Sequence, residues 1–242
     1  RDFLRGLAGL EPDLVVSTGD HISAAEAIGP LIDSLGRLAD VPGVFVFGSN
    51  DFEKPSFRLP TRYLFRPTTG GTDKEPDPLP TDALRSALEG MGWTYLEERR
   101  AELTIAGRPV RFRGTGDAHH GHDDYDAVAG PAAEDVLDVG VTHAPYQRVL
   151  DAMTADGVPL ILAGHTHGGQ VAVPGHGALV TNCDLPREKA KGLFEHTTGG
   201  HTAQVHVSAG VGMSPFAPYR FACPPEVTLL TLTPSAGAPI PK

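Results

Sequence analysis

Five side chains that can bind metal ions follow apolar segments of the chain, at the points where strands are predicted to end. They are Asp20, Asn50, His143, His165 and His167. Because the carboxyl ends of strands meet on one rim of an open α/β sheet, we expect these side chains to converge. Carboxylate and amide oxygens combined with imidazoles suit borderline divalent or trivalent metals such as manganese, iron or zinc. The sequence therefore predicts a metal site at this rim.

The most specific motif is the segment LILAGHTHGGQV. His165 and His167 stand two positions apart after an apolar run, and glycines precede and follow them. Glycine lets the backbone turn closely, so both imidazoles can enter one site. Taken alone, each candidate ligand has an ordinary structural explanation, since Asp and Asn often form turns and caps. The whole set, in this order, is what indicates a metal site.

The elements that would position these ligands alternate between strands and helices. Apolar residues at helical spacing predict helices over 3–10, 28–38, 82–89 and 146–153. Short apolar runs predict strands over 14–16, 44–47, 94–96, 102–105, 110–112, 139–141, 160–162, 170–173, 178–181, 204–207 and 227–232. The opening strand, helix, strand order is typical of a parallel crossover unit. We therefore expect one α/β domain over 1–242, β-rich in its second half.

The segment 53–80 contains six prolines and a Gly-Gly pair, so it is expected to resist regular structure. Loops of this length are often functional lids, and we interpret the segment as lid-like. Arg58 and Arg62 are its candidates for binding a substrate phosphate. Interleaved apolar residues would suit an amphiphilic, lipid-linked substrate. A solvated loop with ordinary surface charge explains the same residues equally well.

Composition restricts the possible partners. Thirty acidic side chains against 20 basic ones give a net charge of −10, which argues against a nucleic-acid partner. No apolar run approaches the roughly 18 residues of a membrane span. Cys183 and Cys223 lack the spacing of a metal or redox motif and are interpreted as reduced structural thiols. The oligomeric state is not indicated.

Four motifs in order, TGD, GSND, VTHAP and GHTHGGQ, make the chain resemble the calcineurin-like metallophosphoesterase family, and more narrowly its YkuE-type bacterial branch. The resemblance spans Leu14 to about Leu232. It implies a four-layer α/β/β/α sandwich of two mixed sheets flanked by helices. It also implies hydrolysis of a small phosphorylated substrate at a dinuclear centre, where a hydroxide bridging two metal ions attacks phosphorus.

The resemblance also implies a role for each candidate ligand. Asp20 would bridge both metal ions. Asn50, His143 and His165 would bind the second ion, and His167 would bind the first.

Where many family members have Gly-Asn-His-Asp, this chain has Gly-Ser-Asn-Asp at 48–51, so the histidine often assigned to leaving-group protonation is absent. Asp51 and His21 are the predicted catalytic substitutes. Asp117 and His119 are predicted to contact the substrate, or else an additional ion, because they lie in the segment GTGDAHHGHDDY, which also resembles the YkuE-type branch.

The family begins with a strand ending in Asp-x-His, which supplies two ligands to the first metal ion, and this chain lacks that motif. We therefore expect an N-terminally truncated domain whose first strand is missing. The native protein would be cytoplasmic, or membrane-associated through an upstream segment. The competing hypothesis is a catalytically silent metal-binding module with an incomplete first metal site. A metal hydrolase acting on amides or lactams is disfavoured, because no Asp-His pair follows the His-x-His.

Overall fold

The structure is a computed structural model that describes residues 2–55, 77–213 and 218–233. Within these residues the α-helices are α1 (Asp2–Gly6), α2 (Ile28–Leu35), α3 (Ser49–Phe52), α4 (Thr81–Gly90) and α5 (Gln147–Ala155). The strands are β1 (Val15–Ser17), β2 (Gly43–Phe45), β3 (Trp93–Tyr95), β4 (Arg99–Ile105), β5 (Arg108–Thr115), β6 (Leu137–Thr142), β7 (Leu160–Ala163), β8 (Ala172–Val173), β9 (Gly177–Ala178), β10 (Gly192–Thr198) and β11 (His201–Val207). Short 3-10 helices cover Leu7–Leu10, Ala25–Ala27, Gly36–Asp40, Tyr125–Val128, His167–Gly169 and Arg187–Lys189.

The strands form two main sheets and one small hairpin. The first sheet has the order β1-β2-β3 and is parallel, with Val15 opposite Gly43. The second has the order β10-β11-β7-β6-β5-β4 and is mixed, since β10/β11 and β4/β5 are antiparallel pairs around a parallel centre. Strands β8 and β9 pair separately. All the strands that precede the candidate ligands are in these two main sheets.

Alternate residues of the central strands pack in different hydrophobic clusters. Phe45 of β2 lies in a cluster with Leu84 of α4, whereas its neighbour Val44 lies in a cluster with Val141 of β6. A third cluster places Ile161 of β7 against Leu150 of α5. Successive strand residues point to opposite faces of a sheet. The three clusters therefore lie between four layers, which are the first helices, the first sheet, the second sheet and α5. The α/β sandwich with flanking helices is confirmed.

Two parts of the predicted strand pattern are wrong within the described residues. Residues 227–232 belong to no strand; Leu229 and Leu232 are exposed, while Leu230 packs on the core between the sheets. Strand β10 was not predicted, since its half-exposed segment Gly192–Thr198 ends in polar residues. Edge strands of this kind lack the continuous apolar run of a buried strand.

Part of the lid-like segment, 56–76 with Arg58 and Arg62, lies outside the described residues, so its role stays a prediction. The two described ends of the segment meet, because Glu53 forms an antiparallel bridge with Pro78 and the Lys54 ammonium pairs with Asp77 at 2.7 Å. Among the described residues, no helix is long and apolar enough to cross a membrane.

Candidate metal centre

The five predicted ligands lie where strands of both main sheets end. Asp20 follows β1, and Asn50 lies in α3, directly after β2. His143 follows β6, while His165 and His167 follow β7. The first sheet therefore contributes oxygen ligands and the second contributes imidazoles, and the shared edge of the two sheets brings them together.

Asp20 is at the centre of this cluster. Its Oδ1 accepts a hydrogen bond from the backbone N–H of Asn50 at 3.0 Å, and its Oδ2 accepts one from the Asn50 side-chain amide at 2.9 Å. The same Oδ2 lies 3.6 Å from His143 Nε2 and 3.9 Å from His167 Nε2. A single carboxylate thus faces groups from three other segments, which is the position that a ligand shared between two ions requires.

Backbone carbonyls select which nitrogen each buried imidazole presents to the cluster. His143 Nδ1 lies 2.6 Å from the carbonyl oxygen of Thr18, and His165 Nε2 lies 3.1 Å from that of Asn182. A neutral imidazole has one N–H, so donation to a carbonyl leaves the other nitrogen as an acceptor. The two remaining nitrogens, His143 Nε2 and His165 Nδ1, lie 3.3 Å apart. Both are therefore available to a shared cation.

Burial and charge set the protonation of the cluster. Burial, reinforced by the charges of His143 and His119, lowers the pKa of His165 to about 3. Burial also lowers the pKa of His167. For Asp20, burial alone would raise the pKa, but the nearby histidines hold it below its ordinary value. For His143, burial alone would lower the pKa, but Asp20 and Asp117 hold it above its ordinary value. Metal ions bind ionised carboxylate and neutral imidazole, so binding at His143 would release its extra proton.

Three of the five predicted ligands adopt a left-handed backbone conformation. The φ angles of Asp20, His165 and His167 are 59°, 67° and 50°. Such angles are uncommon outside glycine and cluster at functional sites. The loop that contains His165 and His167 is held by a residue outside the cluster, since Arg220 Nη1 donates to the carbonyl of His167 at 3.1 Å. The surrounding contacts therefore fix the directions of these side chains before any ion binds.

The predicted catalytic residues His21 and Asp51 form a buried pair beside the centre. His21 Nδ1 lies 3.0 Å from Asp51 Oδ2, and its Nε2 lies 2.8 Å from Ser17 Oγ. Asp51 is fully buried and accepts backbone N–H groups from His21, Ile22 and Gly48. The carboxylate thereby ties the loop that contains Asp20 to the loop that contains Asn50. These contacts favour a positioning role over the proton transfer predicted from sequence.

The predicted substrate contacts Asp117 and His119 lie against the cluster. A carboxylate oxygen of Asp117 and one ring nitrogen each of His143 and His165 all lie within 4.8 Å of one another. Both oxygens of Asp117 already accept hydrogen bonds, from the N–H of His119 at 2.8 Å and from His120 Nδ1 at 2.9 Å. The His119 and His165 rings are 4.4 Å apart. A role in binding substrate stays a prediction for both residues.

The sequence did not reveal the residues that support the ligands through backbone contacts. The carbonyls of Thr18 and Asn182 orient two imidazoles, and a contact made by a carbonyl has no side-chain signature. Arg220 also donates to the carbonyls of Ala209, Gly210 and Gly212. It lies in the late segment SPFAPYRFACPP, whose resemblance to the branch was the one available indication.

Gly48 allows the two sheets to approach each other at the centre. A Cβ at this position would lie 2.3 Å from Asp20 Oδ1 and 2.4 Å from His143 Cε1. We expect Gly48→Ala to displace both side chains and to weaken Mn²⁺ binding by roughly 10- to 100-fold, the range for disturbed outer contacts. Titration calorimetry measures the affinity. Gly90→Ala is the matched control, because a Cβ added there would meet no atom within 4 Å apart from its chain neighbours and the backbone of its own helix. This variant should bind Mn²⁺ like the unmodified chain.

Comparison with known proteins identifies relatives over most of the chain. The profile described as calcineurin-like phosphoesterase matches residues 1–169. The chain is 26% identical over 229 residues to the uncharacterized metallophosphoesterase YkuE of Bacillus subtilis (strain 168), covering 92% of this chain and 68% of that protein. It is 28% identical over 226 residues to the phosphodiesterase YaeI of Escherichia coli (strain K12), covering 92% and 71%. The uncharacterized protein YpbG of Bacillus subtilis (strain 168) is 24% identical over 237 residues, covering 96% and 75%.

Proposed function

Because the chain belongs to the calcineurin-like phosphoesterase family of metal-dependent hydrolases, we propose that it cleaves a phosphoester at a dinuclear metal centre. Asp20 would be shared by both ions. Asn50, His143 and His165 would complete the second site, and His167 would contribute to the first. The observation that carries the proposal is the meeting of carboxylate, amide and imidazole groups from four strand ends at the cluster around Asp20.

The donor set fits borderline metal ions. Its oxygen and nitrogen ligands are of the types that manganese, iron and zinc accept. The nearly buried Asp20 carboxylate, with 10% of its side chain exposed, faces His143 and His167, so a cation there would balance a charge that is costly to bury. When bound, two such ions activate water and stabilise charge on the phosphoryl oxygens.

The residues of the chain itself orient these ligands. Thr18 and Asn182 hold two imidazoles in the required tautomers through their carbonyls. Asp51 holds the first two ligand loops together, which keeps Asp20 against Asn50. Rigid support of this kind keeps the side chains of a reactive centre within the narrow range of positions that catalysis requires.

The substrate is a small phosphorylated molecule. The relative YaeI is named a phosphodiesterase, which supports phosphodiesters as the first class to examine. A lipid-linked substrate remains a hypothesis based on the basic and apolar residues of 53–80. Turnover of a lipid-linked ester that exceeds turnover of a soluble one would support it, and equal or better use of the soluble ester would oppose it.

Metal dependence is the direct test of the proposed function. The complete natural protein, purified and loaded with Mn²⁺, should contain two ions per chain by elemental analysis and should hydrolyse bis(p-nitrophenyl) phosphate. Removal of the ions with EDTA should abolish turnover, and Mn²⁺ should restore it. Hydrolysis that survives chelation would contradict the proposal. One ion or none, without turnover, would instead support the catalytically silent module.

A further inference from the structure

A histidine–carboxylate pair lies at the rim of the candidate centre, outside the ligand set. His120 Nδ1 lies 2.9 Å from Asp117 Oδ2. Asp117 has a fully buried side chain, whereas 30% of the His120 side chain is exposed. Within the described part of the chain no hydrogen bond engages His120 Nε2. The buried acid therefore holds one nitrogen of an imidazole whose other nitrogen is open to a bound molecule.

The pair is close to the position where a phosphoester would bind. The carboxylate of Asp117 lies within 4.8 Å of the inward-facing cluster that contains His143 and His165. The ring of His119 separates His120 from His165, with centroid distances of 4.7 Å and 4.4 Å. His119 itself is buried and lies 2.8 Å from the hydroxyl of Tyr146. His120 is therefore the exposed member of a row of histidine rings that leads from His165 of the centre to the surface.

The chain needs a proton donor that its Gly-Ser-Asn-Asp segment does not supply. Expulsion of an alkoxide is slow unless a positioned acid protonates the leaving oxygen, and histidine is the side chain most often used. The two substitutes predicted from sequence are engaged elsewhere, since His21 contacts Ser17 and Asp51 through its two ring nitrogens. The ligand histidines are also excluded, because their free nitrogens face Asp20 and each other.

We infer that His120 is the catalytic acid of this hydrolase and that Asp117 is its positioning residue, an inference that rests on the proposed function. The carboxylate fixes the tautomer, so the Nδ1 proton stays toward Asp117 and the Nε2 proton points to substrate. A carboxylate that holds Nδ1 also fixes the orientation of the ring, as in other histidine–carboxylate pairs. The absent histidine of the second ligand loop is replaced from a different loop.

Transfer of the His120 proton accompanies cleavage of the phosphoester bond. Water forms the new bond to phosphorus, and the bond between phosphorus and the leaving oxygen breaks. The electron pair of that bond stays on the leaving oxygen, which takes the Nε2 proton of His120 and departs as an alcohol. The proton lost by the attacking water passes to solvent, and solvent returns one proton to His120.

Leaving-group dependence distinguishes a catalytic acid from a structural residue. The test compares His120→Ala with the unmodified chain on two Mn²⁺-dependent substrates, a p-nitrophenyl phosphodiester and an alkyl phosphodiester. Nitrophenolate leaves without help, so its release should change only a few-fold. Alkoxide release should fall by ~10²- to 10⁴-fold, the contribution of a positioned acid. Metal content, measured in parallel, should stay equal in the two proteins.

His122→Ala is the matched control, because it removes a neighbouring exposed imidazole of the same loop. It should leave the turnover of both esters unchanged. Equal loss of both esters in His120→Ala, or loss of neither, would overturn the inference while the proposed function stands. If the unmodified chain hydrolyses neither ester, the proposed function and this inference fail together.

Discussion

Replacement of Asp20 by alanine is expected to abolish hydrolysis and to remove bound metal. The carboxylate accepts both donors of Asn50 and faces two imidazoles, so no other described side chain has the same set of contacts. The loss of kcat/KM should exceed the roughly 10- to 100-fold effect of an outer contact, because a ligand shared by both ions disappears. Turnover of bis(p-nitrophenyl) phosphate and elemental analysis measure the two consequences.

Two further variants make this result interpretable. Asp13→Ala removes an exposed carboxylate just before β1 and should retain full activity and metal content. His165→Ala should behave like Asp20→Ala, since its Nδ1 lies 3.3 Å from His143 Nε2 in the same cluster. Circular dichroism checks that each variant is folded. Full metal content together with normal turnover in Asp20→Ala would defeat the assignment of the centre.

The position of the site followed from the sequence because it depends on a general property of α/β sheets. Apolar runs identified the strands before Asp20, Asn50, His143 and His165, and strand ends in such sheets converge. Errors of one to three residues in strand boundaries did not matter, since every ligand lies beyond the carboxyl end of its strand. The close contacts around Asp20 were therefore predictable as a group, whereas their individual distances were not.

The supporting contacts could not be predicted, for a different physical reason. Asp51 has no local feature that separates a proton donor from a buried acceptor of three backbone N–H groups. His120 had no sequence feature that set it apart from His119 and His122 in the segment GDAHHGHDD. Only the fold determines which imidazole of that run meets Asp117. Roles that depend on tertiary hydrogen bonds thus need coordinates.

Arg113 connects the second sheet to the segments that precede β6 and β7. Its side chain is 1% exposed and pairs with both oxygens of Asp138, which is itself buried. It also donates to the carbonyl of Gly130 at 2.6 Å and lies 3.3 Å from Asp156. The same Asp156 accepts the hydroxyl of Tyr125 at 2.7 Å. One guanidinium therefore faces the buried carboxylate of Asp138 and the partly buried carboxylate of Asp156.

Arg113→Met should lower the free energy of unfolding by about 3–5 kcal/mol, because Asp138 would stay buried without its partner. A domain stability of roughly 5–15 kcal/mol makes this a large fraction of the total. Arg111→Met removes an arginine from the same strand whose pairing with Glu102 is exposed, so its cost should stay below about 1 kcal/mol. Urea unfolding followed by circular dichroism measures both variants. Equal destabilisation would mean that burial does not set the strength of these pairs, and the Arg113 network would lose its assigned role in stabilising the second sheet.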